Sequence, residues 1–219
     1  MERHPGGKEH TMDMIRKARI PAGGRILDMG AGDGSAVRLL LENGYAAEGI
    51  DLEPAVPEED PAVRKAGPSA AVRRGDLLHT DYPDASFDGI LSQCAFYVSG
   101  DPVQAFRECA RLLKKGGLLM YSDVTELSLE ELENQIRETG FEILDACDLT
   151  WQWQEYYIQA VWNGTADLLC GKCLQRSSPD AGEGLRRMKA PEGTGEAGTS
   201  GGTEKKKKYR YFAVTAGRI

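Results

Sequence analysis

Nowhere in its 219 residues does the chain carry eighteen consecutive apolar residues, and a helix that spans a bilayer needs about that many. The polar start Met1-Glu2-Arg3-His4 lacks the apolar stretch of a secretory signal. A cytoplasmic protein is therefore expected. Cysteine is scarce: Cys94, Cys109, Cys147, Cys170 and Cys173 make an odd, scattered set of 5, which fits reduced thiols better than a disulfide framework. Cys170-Gly171-Lys172-Cys173 has no second Cys pair or His pair at usable spacing, so no metal is expected. Positive charge is also in deficit, with 27 Lys+Arg against 34 Asp+Glu and a formal charge of −7. That balance argues against nucleic acid as a partner, because binding a phosphate backbone rests on clustered cations. A small-molecule substrate is the better expectation.

With 41% hydrophobic residues the chain can bury one sizeable core. Short apolar runs alternate with helical patterns, the signature of a parallel sheet covered on both faces. Strands are expected at 25–29, 46–50, 87–93, 118–122 and 141–147, with a short apolar patch at 70–72. Helices are expected from Met12 to about Ala18, from Ser35 to Asn43, and from Pro102 up to Gly116-Gly117. A further helix is expected from Ser128 through Thr139, where Glu131 completes a capping box. Residues 25–147 make the core, and residues 150–174 read as an aromatic-rich helical insertion. Residues 175–204, rich in Gly, Ser, Pro, Glu and Thr, read as a mobile loop, because they offer too little apolar surface to offset the entropy of ordering. Lys205 to Lys208 reads as a solvated edge rather than an anion site. The alternating, β-forming residues that follow return the chain to the sheet as a last strand over 208–216.

The most informative stretch is Arg25-Ile26-Leu27-Asp28-Met29-Gly30-Ala31-Gly32-Asp33-Gly34-Ser35. An apolar strand runs into a turn with glycine at 30, 32 and 34, where the backbone can bend sharply and approach a ligand. The following helix points free N–H groups at that ligand. A dinucleotide fingerprint would place its third glycine at 35, where this chain has Ser35, so NAD is disfavoured.

Three further stretches complete a family resemblance. Gly49-Ile50-Asp51-Leu52 ends the second strand, Gly75-Asp76-Leu77 makes an acidic turn, and Phe106 to Leu119 runs through a helix and Gly116-Gly117 into a strand. Together with the glycine turn they resemble the class I S-adenosylmethionine-dependent methyltransferases of small-molecule type. The resemblance implies a doubly wound α/β fold with a seven-strand Rossmann-like sheet, its last strand antiparallel. It also implies S-adenosylmethionine as cofactor, held by Asp28, Gly30, Ala31, Gly32 and Gly34 at the glycine turn. Asp51 would take the ribose hydroxyls and Leu52 lie against adenine. Asp76 and Leu77 would meet the adenine edge, and Ser92 and Gln93 would sit at the fourth strand end. Residues 1–20 would cover the cofactor, with Thr11 near its methionine carboxylate.

Each assignment has a plainer alternative. Asp51 and Asp76 can be turn residues, Asp28 can cap its own turn, and Thr11 can be a helix N-cap. Phe96 and Tyr97, after the fourth strand, and Trp151 and Tyr156, in the helical insertion, are the candidate substrate residues. Trp153, Tyr157 and Val161 lie at helical spacing and are expected to face the core. No catalytic residue is assigned, because a sulfonium methyl donor is already activated and a base is optional; His10 and His79 are the conceivable ones. Competing functions are a non-catalytic cofactor-binding partner protein, a methyltransferase acting on tRNA or protein, and an NAD-dependent oxidoreductase.

Overall fold

The structure, a computed structural model, describes residues 4–54, 72–164 and 209–219. Within them, β1 (Arg25–Met29), β2 (Ala46–Asp51), β3 (Val72–Arg74), β4 (Phe87–Gln93), β5 (Leu113–Thr125), β6 (Phe141–Asp148) and β7 (Arg210–Arg218) form one sheet. The order is β3-β2-β1-β4-β5-β7-β6. Strands β1 to β5 pair in parallel, whereas β7 lies antiparallel between β5 and β6. This is the expected seven-strand sheet with its last strand reversed.

Alternate residues of the central strands serve opposite faces. On one face Leu27, Met29, Ile90, Leu119 and Tyr121 pack against α4 (Pro102–Leu112) and α5 (Leu129–Glu138). On the other, Ile26, Leu91 and Met120 meet α1 (Gly7–Ala18) and α2 (Ser35–Glu42). A short α3 (Phe96–Ser99) follows β4, and α6 (Thr150–Trp162) follows β6. Asp101 caps α4 by accepting from the Gln104 N–H at 3.0 Å. Ser128 and Glu131 form the expected capping box on α5.

Two boundaries differ from expectation. Helix α1 begins at Gly7, not Met12, because Gly6 and Gly7 adopt φ of 73° and 48° and turn the chain into the helix instead of breaking it. Thr11 therefore lies inside α1 and is not its N-cap. Helix α4 ends at Leu112, and Gly116, at φ 75°, belongs to the bulged start of β5. The rest of the 150–174 insertion, the 175–204 loop, Cys170, Cys173 and Lys205 to Lys208 lie outside the described residues. Among the described residues no helix is long and apolar enough to cross a membrane.

Candidate cofactor crevice and acceptor surface

Strands β1 and β4 are neighbours, but β2 follows on the far side of β1 and β5 on the far side of β4. The connections part there, opening a crevice at the carboxyl ends of the strands where open α/β sheets bind ligands. Gly30, Gly32 and Gly34 have φ of 89°, 55° and 73°, values that side chains strongly disfavour. A Cβ on Gly30 would lie 2.2 Å from the Ala95 Cβ. The Gly30 and Ala31 N–H groups both donate to the Ile50 carbonyl at 2.9 Å, and the Gly32 N–H donates to Asp51 Oδ2 at 2.9 Å. The other Asp51 oxygen accepts from the Glu53 N–H at 2.8 Å. The glycine turn is thus fastened to the end of β2, and each Asp51 oxygen keeps a lone pair for a further donor.

Asp28 lies beneath the turn and is only 4% exposed. Burial, reinforced by the nearby Asp51 and Asp33 carboxylates, raises its pKa from 3.8 to about 7. Asp76 is exposed, and its Oδ1 accepts from the Leu78 N–H at 2.9 Å. The preceding Gly75 N–H donates to the Asp51 carbonyl at 2.9 Å, so the two acidic positions are linked by one backbone bond. Leu52 presents an apolar side chain that is 57% exposed, and Leu77 is half-buried against the core. Ser92 turns inward and donates to the Met29 carbonyl at 2.8 Å, joining β4 to β1. Gln93 accepts from the Thr11 hydroxyl at 2.9 Å, so Thr11 latches α1 onto the end of β4. A cavity of about 430 Å³ opens between α1 and α2, edged by His4, Thr11, Asp33 and Ser35.

An open glycine turn, a carboxylate with spare acceptor capacity beside an exposed leucine, and a buried carboxyl poised near neutrality suit a nucleoside cofactor that carries positive charge. Among the described residues no cluster could hold a metal ion.

On the acceptor side the structure separates the four candidate residues. Phe96 is 0% exposed, with ring centroids 5.3 Å from Phe106 and 5.4 Å from Tyr121. It belongs to the core and cannot line a pocket. Tyr97 is half-buried, its N–H donates to Asp123 Oδ2 at 2.9 Å, and its ring meets Tyr209 edge-on at 6.1 Å. Trp151 is 70% exposed on the outer side of α6, in line with Ile158 and Trp162. Trp153, two residues on, points inward instead and packs against the cluster of Val124 and Tyr211, which Tyr97 and Tyr209 also join. The inward face of α6 thus passes through Trp153 and Tyr157, whose rings sit 5.1 Å apart, with the half-buried Tyr156 against Tyr157 at 6.2 Å.

Beside this cluster Cys94 holds φ 56°, a strained conformation for a residue with a side chain. Its sulfur lies 3.6 Å from the Tyr211 hydroxyl, which lies 3.1 Å from Ser122 Oγ. Of the two candidate histidines, His79 is exposed. His10 is largely buried and its Nε2 has no hydrogen-bond partner among the described residues. Burial, with help from His4, lowers its pKa from 6.5 to about 4, so it is a neutral base at pH 7.

The sequence profile of a methyltransferase-domain family matches residues 27–121. An uncharacterized methyltransferase of Geobacillus sp. (strain WCH70) is 32% identical over 150 residues, which is 66% of this chain and 68% of that protein. The 27-O-demethylrifamycin SV methyltransferase of Amycolatopsis mediterranei is 28% identical over 176 residues, 68% of this chain and 63% of that one. The chain thus spans about two thirds of the length of these curated relatives. Among solved structures, Haemonchus contortus phosphoethanolamine N-methyltransferase 2 in complex with S-adenosyl-L-methionine superimposes with a TM-score of 0.67 at 19% identity, over 98% of this chain and 53% of that one. Fold, glycine turn and relatives agree: the chain belongs to the class I S-adenosylmethionine-dependent methyltransferases.

Proposed function

We propose that the protein transfers the methyl group of S-adenosylmethionine to a small-molecule acceptor, using residues 1–219 as one methyltransferase domain. The observation that carries this reading is Asp51. Its carboxylate is fixed to the glycine turn by the Gly32 N–H and stands at the mouth of the crevice with acceptor capacity to spare. Two ribose hydroxyls are the donors such a group suits, and a charged acceptor strengthens both bonds. Leu52 offers an apolar face for adenine, Asp76 an acceptor for its amino group, and the glycines the clearance for the amino-acid portion.

When bound, the cofactor supplies an activated methyl group. The task left to the chain is to hold an acceptor in line and to exclude water. Tyr97, Trp153 and Tyr209 form an aromatic wall for the acceptor beyond the end of β4. A small-molecule acceptor is also what the name of the rifamycin relative describes for that protein, and the −7 formal charge disfavours a polyanion.

Calorimetric titration with S-adenosylmethionine, S-adenosylhomocysteine and NAD, repeated on Asp51→Ala, tests the cofactor half. Micromolar binding of the first two that is lost in the variant is expected. Binding of NAD alone would overturn the reading. A methyl-transfer screen over O, N, S and C acceptors then tests the other half, with the small molecules expected to outperform tRNA and protein substrates.

A further inference from the structure

The segment from Asp76 to Asp84 follows β3 without entering the sheet, so its backbone groups need partners of another kind. One face of α4 supplies them. Gln104, Glu108 and Arg111 are spaced four and three residues apart and so lie in one row along the helix. The Gln104 side-chain amide donates to the Leu78 carbonyl at 3.1 Å. Glu108 Oε1 accepts from both the N–H and the hydroxyl of Thr80, at 2.8 and 2.7 Å. Arg111 donates to the carbonyls of Thr80, at 3.3 Å, and Tyr82, at 2.7 Å, and to Asp84 Oδ1 at 2.7 Å. Three alternate carbonyls, at 78, 80 and 82, are therefore gripped by one helix. Arg111 also holds Glu108 through both its Nε and a terminal nitrogen, at 3.0 and 2.6 Å.

We propose that this row is a clamp that fixes the Asp76 turn for adenine recognition, with Gln104, Glu108 and Arg111 as positioning residues for the cofactor. The inference rests on the reading that Asp76 meets the adenine amino group. Asp76 is held from two sides: upstream by the Gly75 N–H on the Asp51 carbonyl, downstream by Gln104 on Leu78. The separation of the ribose-binding and adenine-binding carboxylates is thereby set by the body of the sheet on one side and by α4 on the other.

An ordinary surface ion pair would not serve this purpose, since such pairs contribute little. Glu108 is only 5% exposed, and apart from its bonds to Arg111 its side chain bonds, among the described residues, only to the segment it holds. A buried carboxylate is tolerable only while those partners stay in place. Removing Arg111 frees the segment and strands Glu108, so the turn loses its fixed position.

The test compares S-adenosylhomocysteine with S-inosylhomocysteine, in which a carbonyl oxygen replaces the adenine amino group and faces Asp76 as a second acceptor. The wild-type protein should prefer the adenosyl ligand about tenfold or more, the value of a charge-assisted hydrogen bond. Arg111→Ala should bring that ratio to within about twofold of unity, as should Asp76→Ala; Gln104→Ala should lower it by about threefold, the loss of a single neutral bond. General loosening of the fold would weaken both ligands alike and leave the ratio unchanged, so the ratio reads positioning and not stability. If Arg111→Ala does not fold, Gln104→Ala decides. A wild-type preference that survives in the folded clamp variants overturns the clamp. Failure of the wild-type protein to bind S-adenosylhomocysteine at all, or to prefer it, overturns the reading of the site beneath it.

Discussion

Asp28→Asn makes the sharpest test of the crevice's electrostatics. The wild-type carboxyl titrates at about 7 in the folded protein against an ordinary 3.8. A raised carboxyl pKa means that the folded state holds the proton more tightly than the unfolded state does. Stability from this group is therefore fully present below about pH 3.8 and is lost as pH rises towards 7. Each pH unit costs about 1.4 kcal/mol, so about 4 kcal/mol is missing above pH 7. Asparagine has nearly the same shape and never ionises. Its buried amide adds a fixed offset of about 1 to 3 kcal/mol, but that offset does not depend on pH. The stability of the variant relative to wild type should thus climb by about 1.4 kcal/mol per unit between pH 4 and 7 and level off above. Urea unfolding at pH 4.5, 6 and 8, each on both proteins without ligand, reads this difference directly. The lowered pKa of His10 is common to both proteins and cancels. A difference that stays constant across the three pH values would refute the argument.

The same reasoning predicts that binding of the positively charged cofactor pulls the Asp28 proton off, so calorimetry in buffers of different ionisation enthalpy should show proton release near pH 7 that fades by pH 9. Gly30→Ala should destabilise by about 2 to 5 kcal/mol, combining a left-handed backbone penalty with overpacking against Ala95; an unchanged urea midpoint would contradict the 2.2 Å approach. Thr11→Val should cost about 1 kcal/mol by leaving Gln93 without its donor, and hydrogen exchange should show α1 opening more often while α5 is unaffected.

Much of the fold was legible because the strands carry their own signal. The apolar runs at 25–29, 46–50 and 87–93 match β1, β2 and β4 almost residue for residue, since strands largely buried on both faces read as short, mostly apolar runs. The start of α1 was not legible, because Gly6-Gly7 reads as a breaker when here its positive φ angles lead into the helix. The glycine turn and the acidic strand ends of the candidate crevice were legible because they are local features. The acceptor side was legible only in part. Helical spacing alone turns Trp153 and Tyr157 inward, as the structure has them, but it left Trp151 as a candidate, and Trp151 faces out. Phe96 is claimed by Phe106 and Tyr121, residues whose proximity no local pattern reveals. Gln104, Glu108 and Arg111 were not legible for a similar reason: by pattern they form the solvated face of an amphipathic helix, and only the fold lays the 78–84 segment across them.

The distribution of paired and unpaired carboxylates gives the crevice its character. Away from it, several acidic groups are matched with cations: Glu48 with Arg25 at 2.7 Å, Asp88 with Lys114 at 2.7 Å, Glu108 with Arg111 at 2.6 Å. Asp28, Asp51 and Asp76 form no ion pair among the described residues, and where they accept hydrogen bonds the donors are backbone N–H groups. Asp51 and Asp33 are close enough to push Asp28 towards its neutral form. A protein that needed only to be stable would gain by placing a lysine there. Leaving that negative potential uncompensated disfavours the empty crevice and favours a ligand that brings both hydroxyl donors and positive charge. The strain on Asp28 in the free protein thereby becomes differential affinity for the charged methyl donor over its neutral-sulfur product, which is the direction in which a methyltransferase must discriminate to release product and turn over.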